Sequence, residues 1–279
     1  MRNFFRSAAL AALLMATGMA AAADLQLDRG RYLVESIAGC GNCHTPQGPN
    51  GPLPGKALAG GLPFEEAAFT AWSPNISPDP ETGIGKWSDE QITLAIRDGR
   101  RPDGSLIGPP MPFGLYRGIS DDDVAAIVAY LRSVPAVKNM VAKSLYRMPL
   151  PPAYGPPVGK VAAVPQSDSV ACGRYLAGPV GHCVECHSGP GPQGKPDIAG
   201  ALGAGGRVFN GPWGSSVSQN LTPTGLSRCS DAQLKTIITT GVRPDGSRLK
   251  PPMGIPYDAK MSADDLDSVV AYLRTLPPK

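Results

Sequence analysis

Cys40-Gly41-Asn42-Cys43-His44 recurs as Cys183-Val184-Glu185-Cys186-His187, 143 residues further along the chain. Two thiols separated by two residues, with an imidazole directly after them, form a compact donor set, and a second copy makes chance an inadequate explanation. The surrounding sequence repeats in the same order. Gly30-Arg31-Tyr32-Leu33 returns as Gly173-Arg174-Tyr175-Leu176, and Arg101-Pro102-Asp103-Gly104-Ser105 as Arg243-Pro244-Asp245-Gly246-Ser247. Pro109-Pro110-Met111 returns as Pro251-Pro252-Met253, and Tyr130-Leu131-Arg132 as Tyr272-Leu273-Arg274. The chain is a duplication, so whatever the first motif does is set up twice.

Cys-x-x-Cys-His is the attachment signal for c-type haem. Both thiols add to vinyl groups as thioethers, and the adjacent histidine becomes the proximal iron ligand. The competing readings need residues that are missing. Structural zinc takes four ligands, and neither repeat offers a second Cys/His pair; a redox dithiol wants a βαβ context, and none is visible. Cys40, Cys43 and His44, with Cys183, Cys186 and His187, are therefore expected to hold two covalently bound haems c.

The sixth ligand follows from scarcity. The chain has three histidines, His44, His182 and His187, so bis-histidine ligation at both haems is excluded by counting. His182 directly precedes Cys183 and belongs to the proximal side. Met111 lies 67 residues after His44 and Met253 lies 66 after His187, each behind two prolines that stiffen its approach. A thioether opposite a neutral imidazole favours ferrous iron. The expected axial pairs are His44 with Met111 and His187 with Met253. Met140, Met148 and Met261 read as packing residues.

The repeats read as helical with long loops. A first helix is expected near Asp28 to Ala38, and again near Ser169 to Ala177. Middle helices start at Ser88 and Ser230, and last helices at Ser120 and Ser262 with acids in their first turns. Val124, Ile127, Val128 and Leu131 keep helical spacing. Between the repeats, residues 135–168 form a proline-rich linker, stiff and extended, read as strapping across both repeats, the alternative being a free tether. The expected organisation is thus residues 1–23 as a secretory signal, 24–134 and 169–279 as two domains, and 135–168 as the linker.

The export reading rests on Arg2 and Arg6, the short apolar run Ala8 to Thr17, and the small residues Ala21-Ala22-Ala23 before Asp24. Cleavage near Ala23 leaves 256 residues with a formal charge of +1, against +3 for the full chain. A near-neutral chain gives no electrostatic case for nucleic acid. Aromatics make up only 6% of the residues, so large core side chains are few and a bound macrocycle would supply apolar bulk. Cys172 and Cys229 have no counterparts in the first repeat, where Arg29 and Trp87 stand. In an exported chain two spare thiols are expected to form a disulfide, the alternative being free thiols or an iron ligand. The paired sequons at Asn75 and Asn220 read as a shared loop rather than glycan sites.

Asp28 to Val134 resembles a haem domain of the cytochrome c subunits of bacterial membrane-associated alcohol, sorbitol and gluconate dehydrogenases. The motifs quoted above carry the resemblance, with residues 74–85 (Pro-Asn-Ile-Ser-Pro-Asp-Pro-Glu-Thr-Gly-Ile-Gly) and Trp87-Ser88-Asp89-Glu90-Gln91. The second repeat resembles the same family more loosely. Those subunits carry three haems, whereas this chain has motifs for two. The resemblance implies an all-α fold of two tandem class I cytochrome c domains, in which first and last helices cross at Gly30 with Tyr130 and at Gly173 with Tyr272. It also implies a periplasmic relay of single electrons from a dehydrogenase partner to a downstream cytochrome or terminal oxidase, associated with the membrane peripherally through its partners. A relay needs no substrate site of its own; the rival is a di-haem enzyme such as a cytochrome c peroxidase or a thiosulfate dehydrogenase.

Overall fold

The computed structural model describes residues 21–49, 51–192, 195–211 and 213–279. Residues 1–20 of the expected secretory signal lie outside these, and residues 21–23 fall within the first helix, α1, which covers 21–35. Helix α1 crosses α5 (Asp121–Ser133), and α6 (Ser169–Tyr175) crosses α11 (Ala263–Arg274) in the same way. Glycine decides both crossings. A Cβ on Gly30 would lie 1.9 Å from the Ala126 carbonyl oxygen, and one on Gly173 would lie 1.8 Å from that of Ser268. With no Cβ there, the helices approach until Tyr130 and Tyr272 pack beside the glycines.

The last helices begin as their sequences direct. Ser120 and Ser262 accept hydrogen bonds from the backbone N–H groups of Asp123 and Asp265. The first-turn aspartates sit at the positive end of each helix dipole. Val124, Ile127, Val128 and Leu131 are all buried, as are Leu266, Val269, Val270 and Leu273. The middle helices, α3 (Asp89–Arg97) and α9 (Asp231–Thr240), each carry a reciprocal capping box, Ser88 with Gln91 and Ser230 with Gln233.

The all-α expectation does not hold. Among the described residues helix accounts for 37% and strand for 11%, the strands lying in three small sheets. A hairpin of β1 (Gln47–Gly48) and β2 (Gly51–Pro52) follows the first motif. Strands β3 (Pro63–Glu66) and β4 (Phe69–Trp72) form a second hairpin, and linker strand β5 (Leu145–Tyr146) adds to its edge with Phe69 opposite Tyr146. The second repeat holds the hairpin β6 (Val208–Gly211) and β7 (Gly214–Val217). Each of the two longer hairpins lies between a cysteine motif and a middle helix. The helical spacing that marks α5 is absent there, so these segments read as loop.

Nor do the repeats stand apart as two linked domains. Buried apolar residues from Leu33 to Leu276 form one continuous cluster drawn from both repeats. A reciprocal pair of bonds joins them. Tyr32 donates to Asp265 (2.6 Å) and Tyr175 donates to Asp123 (2.7 Å). Each tyrosine oxygen also accepts a backbone N–H at 3.1 Å, from Ser262 and Ser120 respectively. The same surface of each repeat thus meets the other across an approximate two-fold axis. The linker's bonds run mainly to the first repeat, and Asp168 at its end caps α6 of the second. Asn139 donates to the Ala59 carbonyl, Tyr154 stacks on Phe113 at 4.8 Å, and Val161 accepts from the Asp121 N–H.

Candidate haem-binding site

Both motifs fold as one short helix, α2 (Cys40–His44) and α7 (Cys183–His187), entered through a residue in the left-handed region. Gly39 takes it at φ 53°, and His182, its counterpart, at φ 41°. The turn brings both thiols and the imidazole of each motif to one side of the chain.

The histidines are then fixed from behind. His44 Nδ1 lies 2.8 Å from the Pro74 carbonyl oxygen, and His187 Nδ1 lies 2.8 Å from that of Gln219. A carbonyl can only accept, so Nδ1 carries the proton and Nε2 keeps the lone pair that binds a metal. Burial pushes both imidazoles below their usual pKa, which keeps them neutral. The loops supplying the carbonyls are themselves pinned. Asn75 Oδ1 accepts from the Ser77 N–H (2.9 Å) and Asn220 Oδ1 from the Thr222 N–H (2.8 Å). Asn75 is buried, which suits this structural role and not glycosylation.

One cavity of about 1510 Å³ is lined by Cys40, Cys43, His44, Cys183, Cys186 and His187. Met111 and Met253 line it too, as do Trp87 and Cys229 at equivalent positions. Its walls are mostly apolar, with Ile84, Ile96 and Leu131 from the first repeat and Leu226, Ile237 and Leu273 from the second. The donor set suits haem c: an apolar slot, two thiols and a neutral imidazole with a free Nε2 in each repeat, and a thioether in reach of each slot's lining. It does not suit a redox dithiol, which needs a lowered thiol pKa. Burial pushes Cys40 and Cys183 up to about 12, and Cys43 and Cys186 up to about 11. Among the described residues no cluster of His, Cys, Asp or Glu could hold a bare metal ion.

The motifs also face each other. The Glu185 carboxylate helps raise the Cys43 thiol. Its own carboxyl is pushed up to about 7 by burial. Tyr257, in α10 (Ile255–Asp258), closes over the first motif, where a Cβ on Gly41 would lie 2.6 Å from its hydroxyl. Tyr116, in α4 (Phe113–Tyr116), meets the His182 ring edge-on at 5.9 Å. Sequence reading left out these cross-repeat tyrosines and the two carbonyl acceptors.

The expected disulfide is absent. Cys172 and Cys229 are both free thiols. Cys172 is buried beside Ser268 at the α6–α11 crossing, whereas Cys229 lines the cavity. The two stand where Arg29 and Trp87 stand in the first repeat, and they serve different surroundings.

Residues 27–135 match the cytochrome c family. The first repeat is a cytochrome c domain. The whole chain is 31% identical to the cytochrome c subunit of a quinone alcohol dehydrogenase from Gluconobacter oxydans, over 97% of this chain and 59% of that subunit. It is 32% identical to a fructose dehydrogenase cytochrome subunit from Gluconobacter japonicus, over 91% of this chain and 53% of the relative. A diheme c-type cytochrome from Cereibacter sphaeroides is 27% identical, over 86% of this chain and 82% of its own length. The chain therefore spans about half to three-fifths of the dehydrogenase subunits it resembles. A cytochrome c domain implies covalently bound haem c, and the relatives are cytochrome subunits of dehydrogenases or a diheme c-type cytochrome. Among the described residues, no helix is long and apolar enough to cross a membrane.

Proposed function

We propose that this chain is a di-haem electron relay, taking single electrons from a dehydrogenase partner and passing them to a downstream cytochrome or terminal oxidase in the periplasm. The supporting observation is the duplicated donor set lining one cavity. Haem iron, when bound, supplies a one-electron couple between ferrous and ferric states. The chain's part is to hold that couple still and dry. Cys40, Cys43, Cys183 and Cys186 would anchor it through thioethers, and His44 and His187, tied by Pro74 and Gln219, together with Met111 and Met253 would supply the nitrogen and sulfur donors to its iron. Apolar walls keep water away and so limit reorganisation and set potential. Export with cleavage near Ala23, and peripheral membrane association through the partners, complete the proposal.

The test is haem stoichiometry with ligand spectroscopy. A pyridine haemochrome assay should give two haems per chain, retained through acid–acetone extraction. Met111→Ala and Met253→Ala should each remove one half of the near-infrared sulfur-to-iron band and lower one potential. One haem per chain, or a band unchanged in both variants, would defeat the assignment.

A further inference from the structure

In the first repeat, linker strand β5 completes the outer edge of β4. Thr70 pairs with Leu145, the Trp72 N–H donates to Ser144 Oγ at 2.9 Å, and Arg147 grips the carbonyls of Glu66 and Ala67. The second repeat builds the same hairpin. Ser73 and Ser218 mark the equivalence: their hydroxyls accept from the N–H groups of Leu62 and Arg207 in the same way. Val217 thus stands at the position of Trp72, and Ser215 at that of Thr70. Among the described residues strand β7 pairs with β6 alone, so no third strand covers its outer edge. Val208 and Val217, opposite each other in register, are 59% and 52% exposed. The edge that one repeat covers with a strand of its own chain carries in the other only a side-chain contact, the Lys250 ammonium on the Ser215 carbonyl.

The ground beside the open edge has changed in charge. In the first repeat, Tyr146 lies over Gly108, where a Cβ would come within 2.3 Å of its ring. The residue before the matched diproline in the second repeat is Lys250, exposed, with its ammonium 3.4 Å from the Ser215 carbonyl. Exposed Arg248 likewise stands where the first repeat has Leu106. An incoming strand would place its Tyr146 equivalent on a cation. Pairing two β7 edges from two copies would set lysine against lysine, which edge strands use to prevent self-association.

We propose that the outer edge of β7 takes an extended segment of a partner polypeptide as a third strand, with a carboxylate side chain directed at Lys250. Main-chain bonds to the Ser215 and Val217 edge give the affinity, and Val208 and Val217 are the apolar contact beside it. The acidic residue gives selectivity, as the Coulomb partner of a cation on a surface already carrying Arg248. Ser215, Val217, Arg248 and Lys250 also line the rim of the cavity described above, so the test uses the haem-loaded chain, and its readouts are peptide binding and exchange rather than electron transfer.

The probe is a labelled peptide of residues 139–147 carrying Tyr146→Glu, added to the haem-loaded full chain, with the unaltered peptide as control. Hydrogen–deuterium exchange should slow across residues 214–217, and fluorescence anisotropy should show the Glu peptide binding at least tenfold tighter than the control. Val217→Pro should abolish binding while the far-ultraviolet circular dichroism stays unchanged, and Lys250→Glu should reverse the peptide preference. No slowing at 214–217 at millimolar peptide overturns the proposal. So does slowing confined to residues 69–72, or sedimentation as a dimer that Val217→Pro dissolves, since the edge would then be serving the first repeat or a second copy.

Discussion

His182 shows how one side chain can be asked for two incompatible things. The turn before the second motif needs a left-handed residue, which glycine supplies at position 39 without strain. Histidine takes the same conformation here and puts its ring against Tyr116. Burial drives its pKa down from the ordinary 6.5 to about 4. The unfolded chain therefore binds a proton between about pH 6.5 and pH 4 that the folded chain refuses. The stability carried by this neutral ring is complete above pH 6.5 and drains as pH falls through that window. His182→Asn tolerates the left-handed backbone and does not titrate. Denaturation at pH 7 and at pH 4.5 should show a smaller loss for this variant than for the parent; parallel losses would mean the ring is not held neutral. The two Cys-x-x-Cys-His motifs were legible because such a motif fixes residue type and spacing together. The carbonyls of Pro74 and Gln219 were not, since every residue carries a carbonyl and only the loop path decides which one meets an imidazole.

The two helix crossings rest on glycines whose replacement has a calculable consequence. Any Cβ at position 30 or 173 meets backbone rather than a movable side-chain tip. Gly30→Ala and Gly173→Ala should each cost about 1–3 kcal/mol, as overpacking does, because the helices must part. Gly114 in α4 faces open space. Gly114→Ala should instead be neutral or stabilising by roughly 0.5–1 kcal/mol, through the lost freedom of the unfolded chain. Urea midpoints measured on the three variants check both signs. The long helices were legible from their serine caps, acidic first turns and apolar spacing. The hairpins were not. Phe69-Thr70-Ala71-Trp72 has strand-forming residues but too few of them to declare a period, and its third strand comes from a linker 73 residues away.

The two repeats should melt as one. Their apolar residues share a core, and Tyr32–Asp265 and Tyr175–Asp123 tie each first helix to the other repeat's last helix. Calorimetry of the haem-loaded chain should show a single cooperative transition, not two. Tyr32→Phe and Tyr175→Phe should each lose about 1–3 kcal/mol, the worth of a hydrogen bond to a charged acceptor. If the double variant unfolds in two steps, these bonds are what couples the repeats. The duplication was plain in the sequence, but the union was not: Tyr32 and Asp265 are 233 positions apart, and no local pattern announces their meeting.

That exchange of bonds has a consequence for assembly. A surface that meets a copy of itself across a two-fold axis is saturated by one partner, so contacts of this kind close and never propagate into filaments. Here the copy is supplied by the same polypeptide. Tyr32 and Asp123 lie in one repeat, each already engaged by the other's equivalent. The duplication has internalised what would otherwise be a homodimer, fixing its composition at one to one and making it independent of protein concentration.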